Sequence, residues 1–407
     1  MKKFICLFLT IALCLSLCAC GGSGVDERYL PLIECLDNHD YEGAIGYVSM
    51  FRQEAIENGD IVVLEPQEKD YDLVNRYRNI ANALQNYTPD SYFSVWDNTA
   101  EKSLNGNAAL EFCYNELMAL EDVDQWLTSD YFNFEEGFPT DRAALLSRFA
   151  IVKDKLLYKN YTTVDNMGNK NANSGSTFYY DEAGTLVMEY IDYSDAEQRW
   201  ENLYYSSGYY RYTYDDSGKI IEAKSTDLEN TNVYAVIVPT YDAAGNMISE
   251  TITNNDGENV FTYTYDANGN RIQMDYVTDW RDYSVFYTYD AAGNLIQKDR
   301  YTYYYSSNEK YVDQLITTVY TYDAAGNMTN AVVTNQWYNT TYENGKWVTN
   351  VYSEKIDTVT YVNDANGNLI QEVWQYGETV NKDGNTDKPD LTSKTFDYIY
   401  GDYYIFK

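Results

Sequence analysis

Histidine is almost absent from this chain, because only His39 occurs among its 407 residues. A zinc site built from several imidazoles is therefore excluded. His39 precedes Asp40 in a predicted loop, where a solvated side chain is a better interpretation than a member of a Ser-His-Asp triad. The glycines recur with Asp and Tyr as turn formers, so the chain also lacks a glycine-rich phosphate loop. We therefore predict no catalytic residue, no metal and no cofactor.

Basic residues are scarce as well. The chain has 29 Lys and Arg against 63 Asp and Glu, which gives a formal net charge of −34. Such a surface repels nucleic acid backbones and anionic polymers, so we expect no nucleic acid partner. The same repulsion favours solubility, and we expect a monomer. Attraction of cations or basic partners stays open.

Long apolar runs are also missing. The longest runs from Phe4 to Leu17 after a basic start, Met1-Lys2-Lys3, and is too short to span a bilayer comfortably. This pattern is typical of a signal peptide, which we assign to residues 1–19.

The sequence Leu17-Cys18-Ala19-Cys20 resembles the lipobox of bacterial lipoproteins. The resemblance implies cleavage before Cys20, acylation of Cys20 with chains such as palmitate, and anchoring on the extracellular face of the cell membrane. Cys20 fits better than Cys18, because small Ala19 precedes it. Residues 20–24 then form the lipidated cysteine and a flexible tether. Ordinary secretion with cleavage elsewhere is the alternative.

Two further cysteines, Cys35 and Cys113, remain in the mature chain. Outside the membrane they could form a disulfide, but both lie in sequence of helical type, where a free buried cysteine is common. Residues 25–158 show apolar spacings of three and four, for example Leu145, Phe149 and Val152, and predict a helical bundle.

An Asp-x-x-Gly motif recurs along the second half of the chain. Asp favours the first position of a type I turn and Gly the fourth, where a left-handed backbone lets the chain return antiparallel. Tyr and Thr alternate before the turn, and a β-branched residue stands three positions after the Gly. The motif pairs, to which we assign a purely structural role, are Asp181/Gly184, Asp215/Gly218, Asp242/Gly245, Asp266/Gly269, Asp290/Gly293, Asp323/Gly326 and Asp364/Gly367.

The repeated Tyr-Asp-Ala-x-Gly-Asn-x-Ile resembles the YD repeat of the RHS family. That family includes bacterial wall-associated proteins, toxins and teneurins, and its repeats form a long antiparallel sheet that spirals into a shell. The match covers residues 160–407, with a degenerate opening copy at Asp165 to Asn169. Because few repeats are present, we predict an α+β protein in which the helical bundle precedes an open, curved antiparallel β-sheet of hairpins.

Tyrosine is abundant, with 45 copies. Most should form cross-strand pairs within the sheet, but some rings should be exposed and suit sugar rings or protein surfaces. The possible ligand face comprises Tyr263, Tyr265, Tyr287, Tyr289, Tyr303 and Tyr305. The loops Asp266 to Asn270 and Asp364 to Asn368 superficially suggest calcium binding, but their Gly spacing departs from the EF-hand pattern and turn chemistry explains them.

These features together predict a lipid-anchored, non-catalytic surface protein whose repeat sheet binds or scaffolds a glycan or a protein. Two alternatives stay open. One is a glycan hydrolase that uses a carboxylate pair. The other is a degenerate relative of an RHS toxin shell.

Overall fold

The computed structural model describes residues 27–59, 66–89, 92–129, 131–192, 207–277, 281–306, 309–344 and 346–407. The predicted signal peptide, Cys20 and the tether lie outside these residues.

The chain divides into two compact units, and the boundary in the sequence lies between Asn75 and Arg76. In the first unit a 3₁₀ turn, Glu27–Tyr29, leads into helices α1 (Leu30–Asp37) and α2 (Tyr41–Glu57). The exposed His39 lies in the turn between these helices with φ +63°. Helix α3 (Glu68–Gln85) contains the boundary between the units.

The second unit begins with short elements that alternate in type. They are β1 (Ser94–Asp97), β2 (Lys102–Asn105), α4 (Gly106–Ala119), a 3₁₀ turn (Glu121–Val123), α5 (Asp124–Leu127) and α6 (Arg142–Ser147).

The remainder of the described chain is almost entirely strand. The strands are β3 (Phe149–Asp165), β4 (Lys170–Tyr180), β5 (Leu186–Ile191), β6 (Gly208–Tyr214), β7 (Ile220–Thr226), β8 (Val233–Tyr241), β9 (Met247–Asn254), β10 (Gly257–Tyr265), β11 (Arg271–Val277), β12 (Arg281–Tyr289), β13 (Leu295–Ser306), β14 (Glu309–Tyr322), β15 (Met328–Glu343), β16 (Lys346–Asn363), β17 (Leu369–Gln375), β18 (Thr379–Asn381), β19 (Thr386–Asp387) and β20 (Leu391–Phe406).

The large sheet closes on itself. Strands β3 to β17 each pair antiparallel with the next, β17 pairs with β20, and β20 pairs with β3, so that sixteen of the described strands form a barrel. The small strand β18 pairs with β16, and β19 pairs with β18. The prediction of an open, curved sheet is therefore wrong. An open sheet leaves unpaired backbone groups on two edges, whereas here β3 and β20 satisfy each other from Phe149↔Phe406 to Asp165↔Leu391.

The prediction of an N-terminal helical bundle is wrong too. A β-hairpin interrupts it, and residues from Phe149 onward, whose spacing suggested a helix, form strand β3. Short apolar runs fit either period, and pairing with β20 decides between them. Helix α4 packs on the barrel instead, with the Tyr114 ring 5.4 Å from the rings of Phe149 and Tyr404. No helix in the described ranges is long and apolar enough to cross a membrane.

Inward-facing side chains fill the barrel along strands β5 to β13. Phe261, Tyr263 and Met274 are buried there in one continuous apolar cluster. Glu250 lies among them, and its carboxylate accepts a hydrogen bond of 2.9 Å from the Tyr263 hydroxyl. Burial raises the pKa of Glu250, against the opposing effects of this bond and of Arg271.

Candidate binding surface

Each repeat turn is held by its own aspartate. At the fifth turn of the array the Asp290 Oδ1 accepts from the Asn294 backbone N–H at 2.8 Å, and Oδ2 accepts from Asn294 Nδ2 at 2.9 Å. These bonds, the side-chain bond first, lower the pKa of Asp290. The opening copy at Asp165 has the same geometry, with Gly168 at φ +87°.

The seven glycines of the predicted motif end their turns in the left-handed conformation. The backbone N–H of each donates to the carbonyl of the aspartate three residues before it, at 2.9 to 3.1 Å. A bond of this span with a left-handed fourth residue lets the chain reverse into the next strand. The glycines and their φ angles are Gly184 (+81°), Gly218 (+82°), Gly245 (+90°), Gly269 (+84°), Gly293 (+89°), Gly326 (+86°) and Gly367 (+86°).

The surroundings of these glycines differ in a way that the motif did not predict. The sequence assigned all seven a role in the turn alone, and for Gly218, Gly293 and Gly326 no atom lies within 4 Å of an added Cβ. At Gly184 and Gly245, however, an added Cβ would lie 2.9 and 2.8 Å from a lysine Nζ. The lysine ends are flexible and can move aside, so the left-handed backbone remains the main obstacle to a side chain at both positions.

At three of the turns, the residue after the preceding turn glycine lies beside the turn glycine. An added Cβ at Gly269 would lie 3.9 Å from Asn246 Oδ1, and one at Gly367 would lie 3.1 Å from Asn327 Oδ1. Asn246 and Asn327 directly follow the glycines of the preceding turns, and Lys219 stands in the same relation to Gly245. Successive turns therefore lie side by side along one rim of the barrel.

The β-branched residue three positions after each glycine is a bulge residue. In the fifth repeat Tyr289 pairs with Leu295 and Thr288 with Gln297, so that Ile296 has no opposite partner. A bulge increases the local twist of a strand and helps a sheet to curl. One bulge in each repeat therefore favours closure of the barrel. The other bulge residues are Val187, Ile221, Ile248, Ile272, Thr329 and Ile370.

The tyrosine before each aspartate links its repeat to the preceding one. Tyr241 donates its hydroxyl to the carbonyl of Ile220 at 2.8 Å, and Tyr265 donates to Met247 at the same distance. In each case the acceptor is the second residue after the previous turn glycine. The same bond joins Tyr214 to Leu186, Tyr289 to Arg271 and Tyr322 to Leu295.

The six tyrosines of the predicted ligand face do not share an exposed surface. Tyr263 and Tyr287 are buried in the barrel core, and the partly buried Tyr265 and Tyr289 pack against it. Tyr303 is half-buried beneath the Lys310 ammonium, which lies 4.0 Å from its ring centroid. Only Tyr305, 39% exposed, presents much of its surface to solvent, and its hydroxyl donates to Asp282.

A different set of rings lies at the surface, at the ends of strands β13 to β16 that are opposite the repeat turns. Tyr304, Tyr311, Trp347 and Tyr342 form what we call the aromatic row. Successive ring centroids are separated by 5.7, 5.8 and 5.0 Å. Trp347 is 44% exposed and Tyr342 is 62% exposed. Exposed aromatic groups that lie in contact with one another are typical of interaction sites.

Hydrogen-bonding groups flank the aromatic row. Thr340 and Thr349 lie two residues before Tyr342 and two after Trp347, and their hydroxyls are 2.8 Å apart. Tyr311 donates its hydroxyl to Glu309. Partial burial and then this carboxylate raise the pKa of Tyr311 to about 12, so the ring stays neutral at physiological pH. The surface thus combines flat neutral rings with hydroxyl groups beside them.

Sequence reasoning missed this row, although a signal was present. Asn344 and Gly345 form an Asn-Gly pair, which predicts a tight hairpin, and Tyr342 and Trp347 are placed symmetrically on either side of it. Residues in that position form a cross-strand pair, and the pair Tyr342↔Trp347 occurs.

In the described part of the chain, no group of three or more His, Cys, Asp or Glu side chains is placed to hold a metal ion. The disulfide that the sequence left open is not formed, because Cys35 and Cys113 are free thiols. Burial raises the pKa of the Cys113 thiol to about 12.

A family model for the RHS repeat matches residues 241–279, which contain the turns at Asp242 and Asp266. The same turn geometry recurs at all seven motif positions along the barrel. The chain therefore contains an RHS repeat. No curated protein matches it.

Solved structures resemble this chain only distantly. The structure of TcdB2-TccC3-TEV matches at 15% identity with a TM-score of 0.22, over 60% of this chain and 16% of that chain. A porin-like protein from Bacteroides uniformis matches at 11% identity with a TM-score of 0.34, over 60% of this chain and 97% of that one. Likeness this slight carries no conclusion about function.

Proposed function

We propose that this RHS-repeat protein is a non-catalytic, lipid-anchored binding protein of the cell surface, whose barrel displays the aromatic row to a neutral glycan. The observation that carries the proposal is the contact between the exposed rings of Trp347 and Tyr342, with hydroxyls beside them. The apolar face of a sugar ring stacks on such rings, and its hydroxyl groups bond to polar neighbours.

The charge of the chain selects among glycans. A net charge of −34 repels uronic acids, sialic acids and phosphate-bearing wall polymers, whereas a neutral sugar is unaffected. The same charge opposes association of two copies through this surface. A neutral oligosaccharide is therefore the best-matched partner.

Anchoring rests on the sequence around Cys20. The short apolar run, Ala19 and the glycines after Cys20 support acylation of that thiol. Two or more acyl chains anchor a protein stably, so the barrel would work on the outer face of the membrane.

The test uses the full chain in detergent on an array of neutral and acidic oligosaccharides. We expect binding to neutral glycans, and a loss of roughly tenfold or more for Trp347→Ala, since stacked aromatic residues dominate binding sites. Trp96→Ala is the matched control, because Trp96 is also exposed, at 57%, but lies outside the row. Equal losses in both variants, or binding confined to acidic glycans, would refute the proposal. Turnover of a bound glycan would assign the chain to the hydrolases.

A further inference from the structure

Tyr304 and Tyr311 of the aromatic row are partners across two strands. They are paired in the register of β13 and β14, so their side chains leave the sheet on the same face. Their ring centroids are 5.7 Å apart and the ring planes are tilted by 32°, a separation typical of aromatic rings in contact. Both side chains are half-buried, so neither ring is sealed from solvent. Two phenols are thus held side by side near the surface.

The Tyr311 hydroxyl has an acceptor for its proton. It donates to Oε2 of Glu309, two residues earlier on the same strand. Loss of one electron makes a phenol strongly acidic, so a phenol is oxidised most easily where a base takes its proton in the same step. A positioned carboxylate is such a base. Tyr311 is therefore the ring of the pair that is oxidised first.

The rest of the aromatic row connects Tyr311 to solvent. The centroid of the exposed Trp347 ring lies 5.8 Å from that of Tyr311, and the centroid of the exposed Tyr342 ring lies 5.0 Å from that of Trp347. Electrons move rapidly between aromatic rings in contact. When an oxidant removes an electron from Trp347, Tyr311 can replace it and pass its proton to the carboxylate. The row therefore carries oxidation from its exposed end to the hydrogen-bonded phenol.

We propose that Tyr304 and Tyr311 form a site of oxidative modification, where hydrogen peroxide and a haem peroxidase join the two rings in a dityrosine cross-link. Each phenol gives up one electron and one proton, and the two radicals form a carbon–carbon bond between positions ortho to their hydroxyls. The hydrogen on each joined carbon then moves to the oxygen and restores the phenol. The two electrons and two protons reduce one peroxide to two waters.

The cross-link would tie β13 to β14 covalently at the end opposite the repeat turns. Bound glycan takes no part in the reaction, so this inference does not depend on glycan binding at the row. The net charge of −34 keeps copies of the chain apart and favours coupling within one chain over coupling between two.

Trypsin separates the two partners, because Lys310 lies between them in the sequence and cleavage places them in peptides 301–310 and 311–346. The full chain in detergent is treated with a haem peroxidase and hydrogen peroxide, and the monomer is isolated before digestion. We expect a species with the summed mass of the two peptides less two hydrogen atoms, with dityrosine fluorescence and with the bond mapped to Tyr304 and Tyr311. Peptides that stay separate in the oxidised monomer would overturn the proposal.

Variants locate the bond. Tyr304→Phe and Tyr311→Phe each keep the ring and remove one hydroxyl, so the fold should persist and the joined species should vanish. Tyr303→Phe is the matched control, because Tyr303 is the neighbour of Tyr304 on β13 and lies on the opposite face. The link should form unchanged in that variant. A joined species that survives Tyr304→Phe or Tyr311→Phe, or that is lost in Tyr303→Phe, would contradict the assignment.

A further variant tests Glu309 as the positioning residue. Glu309→Gln keeps the shape of the side chain and removes the base, so the cross-link should form several-fold more slowly. Oxidation should then stay on Trp347, whose tryptic peptide should gain oxygen, an effect that a merely structural role would not produce. Glu309→Asp should restore the cross-link in part. An unchanged rate in Glu309→Gln would show that the carboxylate does not take the proton and would refute its role.

Discussion

Asn363 donates its Nδ2 to the carbonyl of Met328 at 2.9 Å, and so makes the bond that a tyrosine makes in the other repeats. Asn363 stands where the other repeats have a Tyr before the Asp. Its acceptor, Met328, is the second residue after the previous turn glycine, as in the other linked pairs. The link between repeats is thus a hydrogen bond to a backbone carbonyl. Either a tyrosine hydroxyl or an asparagine amide can donate it. Tyrosine adds a ring that packs against neighbouring strands.

We expect Tyr241→Phe to lower the free energy of unfolding by about 1 kcal/mol, because it removes the bond to Ile220 and leaves the ring in place. Urea titration measures this loss. Tyr234→Phe is the matched control, since Tyr234 lies on the same strand but is 54% exposed. Equal effects in the two variants would show that the link contributes nothing.

We expect Gly293→Ala to destabilise the protein by about 1–2 kcal/mol, the energy of forcing a side chain into the left-handed region. No atom lies within 4 Å of the added Cβ, so only the φ of +89° opposes it. Gly293→Asn should lose less, because Asn adopts this conformation more readily. A loss for Asn as large as that for Ala would point to a cause other than the backbone angle.

Acid should weaken the turn at Asp227. Bonds from the Thr231 side chain and from Asn232 lower the pKa of Asp227 to about 2, below its value in the unfolded chain of about 4. A depressed pKa contributes stability that is complete above the unfolded value and is lost as pH falls through the folded value. The unfolding free energy of the native chain should therefore decline between about pH 4 and pH 2. Asp227→Asn should show a smaller decline over that interval, and an unchanged pH profile would contradict this.

Phe406 closes the barrel, because its ring lies 4.9 Å from that of Phe149 at the seam between β20 and β3. The side chain is 4% exposed, and we expect Phe406→Ala to cost about 3–5 kcal/mol. Ile399→Ala on the same strand, where Ile399 is 41% exposed, should cost much less. Similar losses of stability in the two variants would show that residues other than Phe406 stabilise the seam.

Acylation of Cys20 can be tested with an alkyne analogue of palmitate in a bacterium that expresses the chain. We expect label in the native protein and in Cys18→Ser, but not in Cys20→Ser, which should also leave the membrane fraction. Labelling of Cys20→Ser would show that another residue carries the acyl chain, and would contradict the proposed anchor at Cys20.

The repeat turns could be predicted from the sequence, whereas the aromatic residues exposed on the surface could not. Each turn depends on an Asp, a Gly and a residue that donates to the Asp carboxylate, all within five residues, as at Asp290 to Asn294, so the motif alone predicts the hairpin and its position. Which face of a strand is buried depends on its register with neighbours and on whether the sheet closes. The predicted ligand tyrosines Tyr263 and Tyr287 consequently entered the core, and Tyr342 and Trp347 remained outside.

The sequence by itself determined the repeats, their turns and the order of the strands, since these follow from interactions between near neighbours in the chain. Only the tertiary structure decided that the sheet closes and that Phe149 begins a strand. Both outcomes depend on β3 meeting β20 at the other end of the array, where Phe149 pairs with Phe406. A contact between residues so distant leaves no local pattern, because it stabilises the chain only after every intervening hairpin has formed.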